Sequence, residues 1–364
     1  MNHHSIISIN FAAVKKRKSI YKMKNKKKLG IIVIALVAIT VIWGGYFAYE
    51  LLYPQVTNKK IVYIFLDRDD SLDSIYYKVK KVGEPHSMKG MKWMFKWMSY
   101  GKKIKTGRYA IKPDISMFKL ARNLARGTQS PIMLTIPSVR TLDKMAKTLS
   151  KQLMLDSAEI AQPIFDSVYY TKMGYTKETL PCLFIPNTYQ VYWNISAKDL
   201  MKRIQKEHDK FWNDKRKAQA KAIGLTPEQV TTMASIVEEE TANDAEKPMI
   251  AGLYMNRYHQ QMPLQADPTI KFALKEFSLR RILHQHLTVK SPYNTYINLG
   301  LPPGPIRVPS IVGINSVLNY VHHNYIYMCA KEDFSGTHNF AATLTDHAVN
   351  ARKYWKALNE RNIK

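Results

Sequence analysis

The sequence predicts an α+β protein that begins with a single N-terminal transmembrane helix. One apolar run without a charge lies at residues 29–49, and beyond it short extended runs alternate with amphipathic helical patterns. The 364 residues are 46% apolar, which is enough for a buried core and allows about two or three compact units. These features exclude a disordered or fibrous chain and indicate a membrane-attached protein with globular units.

The apolar run 29–49 has the length of a membrane span. Its 21 residues would form a helix of about 31 Å, close to the ~30 Å hydrocarbon core of a bilayer. Trp43, Tyr46 and Tyr49 lie toward one end, as interfacial aromatic residues do. Residues 1–28 hold nine Lys and Arg residues and no acid. The positive-inside rule therefore predicts a cytoplasmic N-terminus and places everything after Glu50 on the outer, periplasmic or extracellular, face of the cell membrane.

Two other interpretations of this run are less well supported. A buried core helix would not explain the basic block in front of it. A cleaved signal peptide has a shorter apolar region and a small-residue cleavage site, and no A-x-A site precedes Pro54. We therefore expect an uncleaved anchor in contact with membrane lipid. The sequence from Met23 has the pattern of a compact membrane-protein start, so we expect residues 1–22 to be an upstream extension.

The chain is strongly basic, because 55 Lys and Arg residues oppose 28 Asp and Glu residues for a net charge of +27. Residues 29–364 keep +18 of this charge. Such a charge favours nucleic acid, anionic lipid headgroups or a carboxylate-bearing polymer, although a solvated lysine surface explains much of the excess. The predicted topology and the lack of a recognisable nucleic-acid-binding motif in the sequence argue against nucleic acid.

The cysteine and histidine residues do not form a recognisable cofactor motif. Cys182 and Cys329 allow at most one disulfide and no cysteine-rich zinc module. Close histidine pairs occur at 284/286, 322/323 and 338/347, and none has H-E-x-x-H spacing. We expect neither a metal nor a cofactor.

The first part after the anchor contains a weak repeat of strand, turn and helix. Extended runs lie at 61–66, 109–111 and 132–136. Each is followed by a hydroxyl residue that fits a helix N-cap, namely Ser71, Ser116 and Thr141. Apolar residues on one helix face follow each cap, so the pattern predicts three strand–turn–helix units suited to binding. Ordinary α+β packing with chance similarity is the alternative.

Residues 151–225 are predicted to be mostly helical. A break over 181–192 contains two prolines and several aromatic residues, and it is either the wall of a groove or a packed loop. A new helix is then predicted from Thr226, which fits the N-cap. Pro227 fits the first helical position and Gln229 completes a capping box.

The helix that follows Thr226 ends in three glutamates. A buried stripe is predicted for Val230, Met233, Ala234 and Val237. At about 100° per residue, Glu239 points away from this stripe, and Glu238 and Glu240 lie on its two flanks. One of these two can sit half-buried at the edge of a cleft, where burial raises its pKa and keeps it protonated as a general acid. A solvated acidic face is the simpler alternative.

Several ordered blocks resemble the MltG-like (YceG-like) endolytic murein transglycosylase family. The blocks are 184–189 (FIPNTY), 234–241 (ASIVEEET), Asn256-Arg257, 265–269 (QADPT), 291–296 (SPYNTY), 300–306 (GLPPGPI) and His338-Asn339-Phe340 with Thr343 and His347. The resemblance covers most of the chain after Glu50 and is dense from Ala234 to Asn350.

The resemblance implies a small LysM-like α+β module at 50–130 and a larger α+β catalytic domain at 131–364. By position in the motif, it implies that Glu240 is the catalytic glutamate and Glu238 a supporting acid. Three departures from the family pattern concern loops. Asn187 replaces an Asp that is frequent in the family, and Pro181-Cys182 replaces a usual Glu-Gly. The residues 307–310 (RVPS) replace a common Asn-Pro-Gly ending.

The implied reaction is non-hydrolytic cleavage of the MurNAc-β-1,4-GlcNAc bond of nascent peptidoglycan strands, which leaves 1,6-anhydroMurNAc ends and terminates elongation. One carboxyl suffices when the sugar's own 6-hydroxyl is the nucleophile. The substrate-binding residues that we expect are Gln265, Asp267, Tyr293, Asn294, Tyr296 and His338. The expected partners are glycan strands and membrane-bound cell-wall synthases. A non-catalytic, membrane-tethered peptidoglycan-binding scaffold for those synthases is the alternative.

Overall fold

The computed structural model describes residues 4–279 and 281–361. It divides into two compact units, Met1–Ser130 and Pro131–Lys364. Both units mix helices with short antiparallel strand pairs, so the predicted α+β class is confirmed. Residues 1–3 of the predicted basic segment lie outside the described part of the chain.

The first unit opens with the long helix α1 (His4–Leu52). The most apolar window of its stretch Val14–Leu52 has a mean hydropathy of 2.4 and is exposed, so by length and composition this stretch could cross a bilayer. The helix is longer than the predicted span because the basic residues ahead of it are good helix formers and the first proline is Pro54.

The rest of the first unit is a small α+β body. Its elements are β1 (Val62–Leu66), α2 (Leu72–Gly83), α3 (Lys89–Trp97), a 3₁₀ turn (Tyr100–Lys102), β2 (Gly107–Ile111) and α4 (Met117–Arg126). Strands β1 and β2 pair antiparallel, from Val62 opposite Ile111 to Leu66 opposite Gly107. The helices cover one face of this pair and bury a common apolar core.

The second unit is larger and mainly helical. Its first elements are β3 (Ile132–Ile136), α5 (Leu142–Ser150), α6 (Ser157–Phe165), α7 (Ser167–Lys172), a 3₁₀ turn (Leu180–Leu183), β4 (Asn187–Val191), α8 (Ala197–Phe211) and α9 (Asp214–Ala222). Then follow α10 (Pro227–Glu240), α11 (Lys247–His259), α12 (Asp267–Leu274), a 3₁₀ turn (His284–Thr288), α13 (Ile311–Leu318), β5 (Tyr327–Ala330), β6 (His338–Ala341) and α14 (Leu344–Glu360). Strands β3 and β4 pair antiparallel, as do β5 and β6.

The three predicted helix starts are confirmed. The side-chain oxygens of Ser71, Ser116 and Thr141 each accept a hydrogen bond from the backbone N–H three residues later. Each bond satisfies one of the donors that a helix start leaves open. The third strand–turn–helix unit belongs to the second compact unit, where β3 pairs with β4 rather than with its predecessors.

Strand β4 was not predicted and lies inside the break at 181–192. Tyr189 and Val191 are buried, while Asn187, Thr188 and Gln190 are exposed, so the segment has the two-residue period of a half-buried strand. The prolines and aromatic residues that precede it concealed this period in the sequence. Half of the break, six of its twelve residues, is therefore packed core.

Helix α10 runs through the core of the second unit. The predicted capping box of Thr226 and Gln229 is confirmed. Residues 230–237 are all buried, so the predicted apolar stripe was too narrow. The buried hydroxyls explain this, because Thr231 and Thr232 donate to carbonyl oxygens one turn earlier and hide their polarity within the helix. The glutamates at the end of α10 therefore emerge from the core on several sides.

Candidate active site

A cavity of about 410 Å³ lies at the C-terminal end of α10. Helix α11 and the β5–β6 hairpin form its walls, together with the segment that leads into α12. Five of the predicted site residues line it: Glu240, Gln265, Asp267, Tyr296 and His338. Chain segments far apart in sequence thus bring carboxylate, amide, phenol and imidazole groups to one space.

Glu240 is the last residue of α10, and its carboxyl enters the cavity from the core. Burial, helped by the nearby charge of Asp267, raises the pKa of Glu240 to about 7. The Tyr254 hydroxyl donates to Oε1 at 2.6 Å and opposes this shift, because it stabilises the carboxylate. At neutral pH a large share of Glu240 is protonated, which a general acid requires.

Arg257 lies one turn after Tyr254 on α11 and holds the cavity wall together. Its guanidinium donates to the carbonyl oxygens of Pro263, Leu264 and Ile326 at 3.0, 3.0 and 2.6 Å. It also donates to Oε1 of Gln265 at 3.1 Å. The buried guanidinium of Arg257 therefore fixes the Gln265 amide relative to α11, the helix that also carries Tyr254.

The segment that leads into α12 is bonded to the 294–296 turn. The Gln265 N–H donates to the Thr295 carbonyl at 3.1 Å, and the Asp267 carboxylate accepts the Tyr296 hydroxyl at 2.5 Å. Gln265 has a φ of 52°, a left-handed conformation that a non-glycine residue adopts only when its surroundings impose it. The two sequence blocks 265–269 and 291–296 thus form one wall.

His338 opens strand β6 and is oriented by a buried carboxylate. Its backbone N–H donates to Oε1 of Glu246 at 2.6 Å, and its Nδ1 lies 3.1 Å from Oε2 of the same residue. This leaves Nε2 available to the cavity. His347 lines the cavity as well, and burial lowers its pKa, so it is mostly neutral near pH 7.

The two glutamates that precede Glu240 at the end of α10 point away from the cavity and are bound by partners. Glu238 accepts from Ser310 Oγ at 2.8 Å and pairs with the buried ammonium of Lys247 at 3.1 Å. Glu239 accepts from Arg140 at 2.7 Å through both of its oxygens and from Arg307 at 2.8 Å. The alternative of a solvated acidic face is therefore wrong, since these two carboxylates are held within the fold.

The model of the YceG-like family matches residues 64–353. The chain belongs to the YceG-like family.

Curated relatives of this YceG-like chain carry the name endolytic murein transglycosylase. The protein of Streptococcus pneumoniae serotype 2 (strain D39) is 27% identical over 347 residues, which is 85% of this chain and 62% of that relative. The protein of Bacillus subtilis (strain 168) is 26% identical over 337 residues, which is 87% of this chain and 92% of that relative. The chain therefore spans less than two thirds of the pneumococcal relative and nearly all of the Bacillus one.

A solved structure shares the fold of the YceG-like chain. The crystal structure of a YceG-like protein from Listeria monocytogenes aligns with a TM-score of 0.54 at 24% identity and covers 80% of this chain and 99% of that one. At this identity the likeness concerns the fold.

Two residues that the sequence predicted to bind substrate lie outside the cavity of the YceG-like chain. Asn294 is fully buried, and its amide nitrogen donates to the carbonyl oxygens of Leu287 and Val289 at 2.8 and 2.9 Å. Its Oδ1 accepts from the Tyr296 N–H at 2.9 Å. Tyr293 packs on Phe272 with a centroid distance of 4.6 Å. Both residues shape the turn that presents Tyr296.

Sequence reasoning missed Tyr254, which contacts Glu240 directly. It also gave no role to Arg257, although the pair Asn256-Arg257 was recognised as a family block. Tyr254 and Arg257 are three residues apart and share one face of α11, so this spacing was the available signal. The β5–β6 hairpin was missed too, because neither YMCA nor HNFA alternates between apolar and polar residues.

Proposed function

We propose that this chain is a membrane-anchored endolytic murein transglycosylase that cleaves the MurNAc-β-1,4-GlcNAc bond without water. The observation that carries this proposal is a single half-buried carboxyl, Glu240, whose pKa of about 7 suits an acid that must later act as a base. Family membership and the names of the curated relatives support the same activity.

In the proposed reaction, Glu240 gives its proton to the glycosidic oxygen. The bond between that oxygen and C1 of MurNAc breaks, and the electron pair leaves with the GlcNAc oxygen. The 6-hydroxyl oxygen of the same MurNAc then forms a bond to C1, and its proton returns to the Glu240 carboxylate. The products are a GlcNAc 4-hydroxyl and a 1,6-anhydroMurNAc end, and the carboxyl is regenerated. Because the nucleophile belongs to the substrate, the step is intramolecular and its entropic cost is low.

We assign the sugar contacts to the polar side chains that share the cavity with Glu240. Gln265 and Asp267 offer hydrogen-bonding groups on one wall, and His338 offers Nε2 on another. Tyr296 presents a ring whose hydroxyl is already bound to Asp267. Glu238 acts indirectly in this proposal, since its ion pair with Lys247 fixes the end of α10.

The remaining segments have roles that follow from this activity. We assign 1–28 to the cytoplasm, 29–49 to the membrane, 50–130 to a LysM-like module and 131–364 to the catalytic domain on the outer face. The anchor keeps the catalytic domain at the membrane from which new glycan strands emerge, so cleavage terminates their elongation. Cell-wall synthases in the same membrane are the expected partners.

The deciding experiment is the chemistry of the products. The full chain in detergent is incubated with un-crosslinked glycan strands, and the new ends are identified by mass spectrometry. We expect 1,6-anhydro ends from the unaltered chain and a loss of about 10²–10⁴-fold in rate in the Glu240→Gln variant, the range for removal of a general acid.

Two results would contradict the proposal. Reducing ends formed by water would identify a hydrolase. Intact strands that nevertheless bind the protein would identify the scaffold alternative. The Tyr258→Phe variant is the matched control, because Tyr258 lies on α11 and packs against the core instead of lining the cavity.

A further inference from the structure

Helix α3 packs directly against the outer end of α1. The Trp93 ring stacks on Phe47 with a centroid distance of 4.9 Å and meets the Tyr46 ring edge-on at 6.4 Å. Lys89 Nζ donates to the Tyr46 hydroxyl at 2.6 Å. Phe47 and Tyr46 are among the last residues of the predicted span, so α3 lies at the level where that span would leave the hydrocarbon.

The close approach of the two helices is built into their sequences. A side chain at Gly90 would collide with the Glu50 carbonyl oxygen of α1, so only glycine fits there. Glu50 is buried and accepts a hydrogen bond from Ser87, just ahead of α3. The position of α3 beside α1 is therefore fixed within this compact unit.

The outward face of α3 combines a large aromatic residue with basic ones. Met91, Met94 and Phe95 are buried in the core of the unit. Trp97, by contrast, is 79% exposed, and Lys89, Lys92 and Lys96 are exposed beside it. An exposed indole flanked by lysines is costly in water and is typical of helices that lie in a membrane interface.

The charge pattern extends beyond the helix. Residues 85–113 contain eight Lys and Arg residues and no Asp or Glu. Lys102, Lys103 and Lys105 in the following turn are exposed as well. Each basic residue held near an anionic leaflet strengthens binding roughly fivefold, so a cluster of this size binds firmly.

We propose that α3 and the turn 98–105 form a membrane-docking surface, in which Trp97 enters the interface and the lysines bind anionic lipid headgroups. This surface makes a second contact with the bilayer, in addition to the span. The inference rests on α1 crossing the membrane, and its test separates the two claims.

The test uses the full chain in nanodiscs of mixed phosphatidylcholine and phosphatidylglycerol, with and without lipids brominated in the acyl chains. The readout is the fraction of tryptophan emission that the brominated lipids quench. We expect the Trp97→Phe variant to lower this fraction. The Trp355→Phe variant is the control, since Trp355 is 61% exposed in the other unit and outside the proposed surface, and it should not lower the fraction.

The Trp43→Phe variant reports on the span itself. If it lowers the quenched fraction while Trp97→Phe does not, the anchor stands and the docking surface is refuted, which leaves this face for a protein partner. If Trp43→Phe has no effect either, the anchor fails and the inference fails with it.

A charge-matched pair of variants tests the headgroup contact. Replacing Lys92 and Lys96 by Gln should reduce the Trp97 contribution to the quenched fraction. In the mixed bilayer this contribution should fall to its level in pure phosphatidylcholine. Replacing Lys80 and Lys81 of α2 by Gln removes the same charge from another exposed helix of the unit and should leave it unchanged. Equal effects of both pairs would refute a specific surface and indicate general attraction to the anionic bilayer.

Discussion

The hydroxyl of Tyr254 on α11 donates to the carboxyl of Glu240 on α10, with 2.6 Å between the two oxygens. The bond joins two helices that pack in the core of the second unit and sets the rotamer of Glu240. It also affects the pKa of Glu240. Burial raises this pKa, and the Tyr254 hydroxyl lowers it because it donates to the charged carboxylate. Tyr254 is thus a positioning residue whose removal has a measurable effect on pH dependence.

The Tyr254→Phe variant should move the pH profile of activity to higher pH. Without the donor, the Glu240 carboxylate is less stable and its pKa rises further. The rate at the optimum should fall by roughly tenfold or less, since such a bond contributes about 1 kcal/mol or somewhat more. The profile of kcat/KM measured on glycan strands checks this. A lower rate with an unmoved profile would mean that Tyr254 acts only by shape.

Activity of the unaltered chain should fall as the pH rises through about 7. The protonated form of Glu240 is the active acid, and the pKa of about 7 places its loss there. Cleavage rates on glycan strands, measured from pH 5 to 9 in steps of about one pH unit, check this prediction. A carboxyl with its ordinary pKa of 4.5 would instead have lost most activity already at pH 6.

The Glu240→Gln variant should melt at a higher temperature than the unaltered chain at pH 8, and at the same temperature near pH 4. The folded-state pKa of about 7 lies above the ordinary value of 4.5. Below 4.5 both states are protonated and there is no penalty. Above 7 the folded state holds a buried charge at a cost of roughly 3–4 kcal/mol, at 1.36 kcal/mol per pKa unit. Scanning calorimetry at both pH values checks the sign.

The Glu239→Gln variant should have the opposite effect on stability. Its carboxylate lies between the Arg140 and Arg307 guanidinium groups, and its own side chain is only 9% exposed. Removal of the charge leaves two guanidinium cations close together. This should lower the free energy of unfolding by about 1–3 kcal/mol, a modest cost because Arg140 can partly swing into water. The melting temperature should therefore fall at pH 8. A rise would show that the ion pairs do not stabilise the fold.

The Asn294→Asp variant separates a positioning role from direct substrate contact. A carboxylate cannot donate to the Leu287 and Val289 carbonyls, so the loop should open and trypsin should cleave after the exposed Lys290 about tenfold faster, for a loss of about 1.4 kcal/mol. The Asn298→Asp variant is the control, since Asn298 is exposed and water can replace its bonds. Lost activity with unchanged cleavage would favour the contact with sugar that the sequence predicted.

Local signals in the sequence were sufficient for the helix starts. Ser71, Ser116 and Thr141 occupy N-caps as predicted, since capping depends on residues within one turn. Helix spacing left open whether Glu238 or Glu240 lies at a cleft, and the family resemblance selected Glu240, which lines the cavity and is half-buried.

What could not be predicted depends on contacts between distant segments. The partners of Glu239 are 99 and 68 residues away, and no periodicity reveals them. Asn294 was expected at the sugar because polar residues in a family block suggest binding, yet its amide satisfies buried carbonyls of its own loop.

The segment 306–310 contacts three residues of α10. The Ile306 N–H donates to Ser235, Arg307 binds Glu239, and Ser310 binds Glu238. Two of these residues, Arg307 and Ser310, belong to the stretch that departs from the family pattern. The segment therefore holds Glu238 and Glu239 away from the cavity, and Glu240 is the one of these three carboxyls that lines it. A substitution in this segment can therefore lower activity although none of its residues lines the cavity.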